Sequence, residues 1–94
     1  MMHHTPAQIH DLLVRALPHI RNQEVIDYVT DYLVTGEATR KGYPRAELTA
    51  VEHKAYSLAM YATLVHVDEV HFYRSALQSH FDNLTNMLNR RSDP

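Results

Sequence analysis

Apolar residues recur at three- and four-residue intervals along most of the chain, the pattern of amphipathic helices that each bury one face. Ile9, Leu12, Leu13, Ala16 and Leu17 form the first such stripe. Thr5-Pro6-Ala7-Gln8 introduces it, with an N-cap threonine, a proline at the first helical position and a glutamine three residues after the cap. That is a capping box, and Pro18 stops what it starts, so a helix is predicted over about 5–17. Asn22 is a good N-cap for a second stripe, Val25, Ile26, Val29 and Leu33, with Tyr28 and Tyr32 at its edge. Gly36 is placed to end this helix, giving about 22–35.

Thr49-Ala50-Val51-Glu52 repeats the capping-box pattern ahead of Ala55 to Val65, which is apolar nearly all round. A helix of that kind belongs at the centre of a bundle, and it is predicted over about 49–66. Val70, Tyr73, Leu77, Phe81, Leu84 and Leu88 then form a stripe whose phase does not continue the previous one. The slip falls between His66 and Glu69, so a break is expected there, with Asp68 capping a last helix over about 68–89. The fold expected is therefore an all-α four-helix bundle of two helical hairpins. It forms one domain over 1–94, with 1–4 and 90–94 frayed. A 22-residue helix would run about 33 Å. That is long for a small bundle, so the stripe Val70, Tyr73, Leu77, Phe81, Leu84 and Leu88 is expected to reach into a homodimer interface.

Composition narrows the classes. Only two glycines and four prolines interrupt the chain, and 45% of residues are hydrophobic, enough for a core. The absence of cysteine excludes a disulfide framework, a thiolate zinc site and a cysteine nucleophile. It suits a reducing compartment, and with no secretory pattern at the N-terminus a cytoplasmic protein is expected. The longest nearly apolar stretch is well short of the roughly 20 residues of a membrane span. Net charge is −2, not the basic balance of a typical DNA-binding domain, and protonating all eight histidines would carry it to +6.

Two constellations could carry chemistry. His66-Val67-Asp68-Glu69-Val70-His71 has metal-ligating residue types, but on one helix the two histidines lie about 140° apart, and no metal site is assigned. Arg74 and His80, separated by five residues, resemble the R-x4-6-H signature of HEPN-type nucleases, which are also all-α bundles. The resemblance covers seven residues and implies RNA cleavage by an arginine and a histidine from paired subunits. On a regular helix Arg74 and His80 point about 120° apart. No phosphate loop or nucleophile elbow accompanies them, and neither an enzyme nor a cofactor is expected.

Binding surfaces are the better prospect. Glu24, Asp27 and Asp31 share one face of the second helix, beside Tyr28 and Tyr32 and near Tyr43 of the connector. Acidic groups with adjacent tyrosines suit a basic protein surface. The connector at 39–45 carries Arg40, Lys41, Tyr43 and Arg45, which suit phosphates and a stacked base. The function expected is a small non-catalytic regulator, inhibitor or adaptor that binds another protein, of the kind phages and plasmids encode. A dimeric nucleic-acid-binding regulator using the basic connector is the alternative, and a HEPN-like RNase the remote one.

Overall fold

A computed structural model describes residues 4–38, 44 and 46–91, all of the regular structure being helical. Helix α1 spans Pro6–Ala16 and passes into a 3-10 turn at Leu17–His19. Helix α2 spans Gln23–Thr35, α3 Ala50–Ala62 and α4 Arg74–Arg91. The caps are those expected. Thr5 Oγ1 accepts from the Gln8 amide at 3.2 Å while the Gln8 side chain accepts from the Thr5 amide at 2.8 Å. Asn22 Oδ1 accepts from the Val25 amide at 3.1 Å. Gly36 ends α2 at φ 84°, and its amide donates to Tyr32 O at 2.8 Å.

Helix α3 is the central element and packs on α1, α2 and α4. Its alanines at 55, 59 and 62 are fully buried, and their small size lets three neighbours approach one axis. Ile9 and Leu13 of α1, Val25 and Val29 of α2, Val51 and Leu58 of α3, and Leu84 and Leu88 of α4 form the innermost layer. No helix among the described residues is long and apolar enough to cross a membrane.

Glu52 does more than close its capping box. Oε1 accepts from the Thr49 amide at 2.9 Å. Oε2 accepts from the amides of Arg21 and Asn22, both at 2.8 Å. One buried carboxylate thus fixes the start of α3 and the turn that leads into α2. These three bonds to the charged form hold its pKa below the ordinary carboxylate value, against the opposing effect of burial.

The exit from α3 departs from expectation. There is no clean break with an N-cap at Asp68. The helix widens into a π turn at Thr63–Val67, and the Asp68 amide donates back to Thr63 O at 3.0 Å. Glu69 then takes a left-handed conformation, φ 59°, and a 3-10 turn at His71–Tyr73 leads into α4. The extra residue in the π turn is the physical cause of the phase slip in the apolar pattern. α4 therefore starts at Arg74, not Asp68, and its 18 residues run about 27 Å. That fits within a molecule 37 Å in longest extent.

The stripe expected to reach a dimer interface is divided between core and surface. Leu77, Leu84 and Leu88 are buried within the single chain, in the core that α4 forms with α3 and α1. Val70, Tyr73 and Phe81 are half-buried. At the N-terminus His4 is packed rather than frayed, its ring stacked on Phe81 at 3.6 Å between centroids.

Candidate interaction site

The expected acidic surface keeps its charges but loses its aromatic anchors. Glu24 and Asp27 are exposed and Asp31 is half-buried. Tyr28 is buried and stacked on Tyr56, with centroids 3.9 Å apart, and Tyr32 is also buried. Burial raises the pKa of the Tyr32 phenol, and of Tyr56, where the nearby Glu24 carboxylate adds to the effect. The helix is apolar over a wider arc than the sequence stripe suggested, and both tyrosines fall inside it. Arg40, Lys41, Tyr43 and Arg45 lie outside the described residues.

Arg74 and His80 sit in different surroundings on α4. His80 stacks on Tyr61 at 5.2 Å and meets His53 edge-on at 6.1 Å. Its Nδ1 lies 3.4 Å from Lys54 Nζ. Burial first, then the Lys54 and His53 charges, holds its pKa below the usual histidine value. Arg74 instead faces the end of α3 beside His66. Burial, followed by Arg74 and His71, lowers the pKa of His66, while a hydrogen bond to the His4 backbone opposes the shift. The chain turn thus does bring His71 within electrostatic reach of His66. Among the described residues, no group of three or more metal-ligating side chains converges.

The most unusual surface is the α3–α4 corner itself. Phe72 is 87% exposed at its tip, and Val67 is 43% exposed nearby. Asp68, Glu69 and His71 surround them and are also exposed. The corner is nevertheless tightly built. Val70 donates to Leu64 O at 2.8 Å, closing the π turn with a bond one residue wider than a Schellman motif, and Tyr73 donates to Val70 O at 3.2 Å. Behind the tip, Phe72 meets Tyr73 edge-on at 5.4 Å, and Tyr73 meets Tyr61 at 5.3 Å. At the start of the turn, Thr63 Oγ1 donates to Ala59 O at 3.0 Å and accepts from the Ala38 amide at 2.8 Å. The connector leaving α2 is thereby tied to the same end of the bundle.

No family model, curated protein or solved structure matches this chain. The site therefore rests on its geometry.

Phe72 is the exposed aromatic residue that the apolar pattern did not select. It falls outside the stripe through Val70, Tyr73 and Leu77, and a large apolar residue out of phase beside a break is the signal that could have found it. A second surface was also missed. Lys54, Asn83, Asn86, Met87, Asn89 and Arg90 line an open groove between α3 and α4, with no carboxylate among the described lining residues.

Proposed function

We propose that this protein is a small non-catalytic binding module that docks another protein through the α3–α4 corner, with Phe72 as the anchor. The observation that carries the reading is the 87% exposure of Phe72 on a turn closed by backbone hydrogen bonds. A phenylalanine ring left in water forgoes about 2 kcal/mol of burial, which a pocket on a partner recovers. A turn already held in shape loses little further freedom on docking. Val67 widens the apolar centre, and Asp68, Glu69 and His71 make the polar rim usual for such contacts. The Glu24 and Asp27 face supplies charge that steers a basic partner, without carrying the anchoring contact.

Affinity capture with three baits tests this reading: wild type, Phe72→Ala, and Glu24→Lys/Asp27→Lys. A stoichiometric partner held by the wild type should be lost at least about tenfold with Phe72→Ala, the effect of removing a hot-spot aromatic. The acidic-face variant should keep it, with slower association. A partner held equally well by Phe72→Ala overturns the assignment. A dimer of this chain that dissociates in Phe72→Ala, read by light scattering, would make the second copy the occupant instead.

A nucleic-acid reading is favoured by one separate observation, the groove of Lys54, Asn83, Asn86, Asn89 and Arg90, whose described lining residues include no carboxylate. Amide side chains can read base edges and the two cations can meet phosphates. Duplex or single-stranded binding that falls steeply with salt and is lost in Lys54→Ala/Arg90→Ala would support it. Binding lost instead on changing Arg40, Lys41 and Arg45 would move that site to the connector.

A further inference from the structure

Beside the corner lies a cavity of about 120 Å³ lined by His4, Val65, His66, Arg74, Leu77 and Gln78. Three segments meet there: the residues ahead of α1, the π turn, and the first turns of α4. Val65 and Leu77 are buried apolar side chains. The other four carry hydrogen-bond donors, namely a guanidinium, a carboxamide and two imidazoles. Among the described residues no carboxylate belongs to the lining, although Asp82 approaches one of its imidazoles.

Two features of these donors suit an anionic ligand. The Nε2 of His4 is buried and has no hydrogen-bond partner among the described residues. Its nearest carboxylate oxygen is Asp82 Oδ1 at 3.5 Å. The ring stacks on Phe81, and its side chain is 15% exposed. The Asp82 contact is too long for a hydrogen bond but is an ion pair when the ring is protonated, so a closer anion would compete with Asp82 for this nitrogen. Arg74, for its part, has no ion pair with any described carboxylate, although its charge is felt at His66. Water also reaches this space, because Arg74 and His66 are exposed; what distinguishes it is a guanidinium, a carboxamide and two imidazoles around one cavity.

We propose that this cavity binds a compact tetrahedral oxyanion, a phosphate or phosphomonoester. Arg74 supplies charge and a bidentate fork, and Gln78, His66 and His4 supply the remaining donors. The number of donor groups decides against a carboxylate. Two oxygens in a plane are satisfied by the guanidinium fork alone, whereas a phosphate presents further oxygens to the other three groups. The size agrees, since the space corresponds to roughly four waters at their liquid volume. This proposal stands apart from the docking role of Phe72, which does not line the cavity.

A pH dependence follows. The groups acting on His66 are Arg74, His71 and the backbone of His4, and Asp82 is the carboxylate nearest the His4 ring. An oxyanion would favour the imidazolium and raise the depressed pKa of His66. Binding then takes up a proton, and affinity rises as pH falls through the pKa of the unliganded ring.

The test is an NMR titration of the full chain with inorganic phosphate at constant ionic strength, following the ring signals of His4 and His66 and the Arg74 Nε–H. Saturable shifts of all three are expected. Arg74→Gln should weaken binding about tenfold or more, the value of a charge-assisted contact. Lys54→Gln/Arg90→Gln, on the other groove, should leave it unchanged, as should Phe72→Ala. Arg74 is exposed, so its replacement should leave the melting temperature intact. Gln78→Leu gives an independent loss should Arg74→Gln disturb the fold. Sulfate, which keeps its charge over this range, reads the pH trend without titration of the ligand. Tighter binding of phenyl phosphate than of phosphate would identify a phosphorylated group as the natural source, and equal binding the free ion. Shifts that never saturate, or that persist in both Arg74→Gln and Gln78→Leu, overturn the proposal.

Discussion

The two ends of α3 are built on opposite principles. At its N-terminus the Thr49–Glu52 box satisfies the helix, and the same carboxylate holds the amides of Arg21 and Asn22. The amides of Thr49, Glu52, Arg21 and Asn22 each have a side-chain partner there. At its C-terminus the helix widens, a glutamate sits at φ 59°, and a phenylalanine stands in solvent. Local rules are broken three times within ten residues. Where stability is the only requirement, sequence and structure agree at every level, and departures concentrate where something else is being served. That contrast directs the docking surface and the oxyanion cavity to the same end of the molecule.

The largest effect should come from breaking the orderly end. Glu52→Ala removes acceptors from three backbone amides at once and should cost about 3 kcal/mol, measured by urea denaturation. Glu52→Gln, which keeps a neutral acceptor, should cost less. The pKa of Glu52 is lowered by folding, so its contribution is fully present above the unfolded carboxylate value, about 4.3, and is lost as pH falls through the lower folded value. The gap in stability between wild type and Glu52→Gln should therefore close in acid. A gap that stays constant down to pH 2 would show that the charge of Glu52 is irrelevant to the join.

A smaller pair of effects compares two helix exits directly. Gly36 and Glu69 both adopt positive φ, 84° and 59°, one with the residue suited to it and one without. Gly36→Ala should cost about 1 kcal/mol. A Cβ there would meet no atom within 4 Å, so the cost is conformational alone. Glu69→Gly should go the other way and stabilise by up to about 1 kcal/mol, through relief of the left-handed strain. Opposite signs in thermal melts confirm that the corner keeps a strained residue. A destabilised Glu69→Gly would mean that the glutamate side chain supports the turn.

How much could be read beforehand follows the same division. Thr5, Asn22, Gly36 and Thr49 marked helix ends correctly because caps are local chemistry between residues two to four apart. The apolar run around Leu58 marked the central helix for a similar reason. Asp68 misled because an aspartate before an apolar stripe has the form of an N-cap, while the π turn that claims its amide depends on bonds reaching back to Thr63 and Leu64. Tyr28 and Tyr32, at the edge of the buried stripe, were offered as contact residues because a phenol tolerates either environment; the structure buries both, Tyr28 against Tyr56. The cavity joins His4 to Arg74 and Gln78 across the whole chain, a juxtaposition no spacing encodes.

The smallest expected change in stability is the most informative about function. Phe72→Ala deletes a ring that is 87% exposed and touches little besides the edge of Tyr73, so it should alter stability by less than about 0.5 kcal/mol. A ring of the same size in the core would cost about 3–5 kcal/mol when cut back to alanine. If melting shows Phe72→Ala to be as stable as the wild type while the captured partner is lost, the ring is kept for contact with another molecule. If Phe72→Ala instead melts several degrees lower, the ring is covered within the protein in solution, by itself or by a second copy. Repeating the melt over a range of protein concentrations separates those two cases, because only a dimer gains stability as it is concentrated.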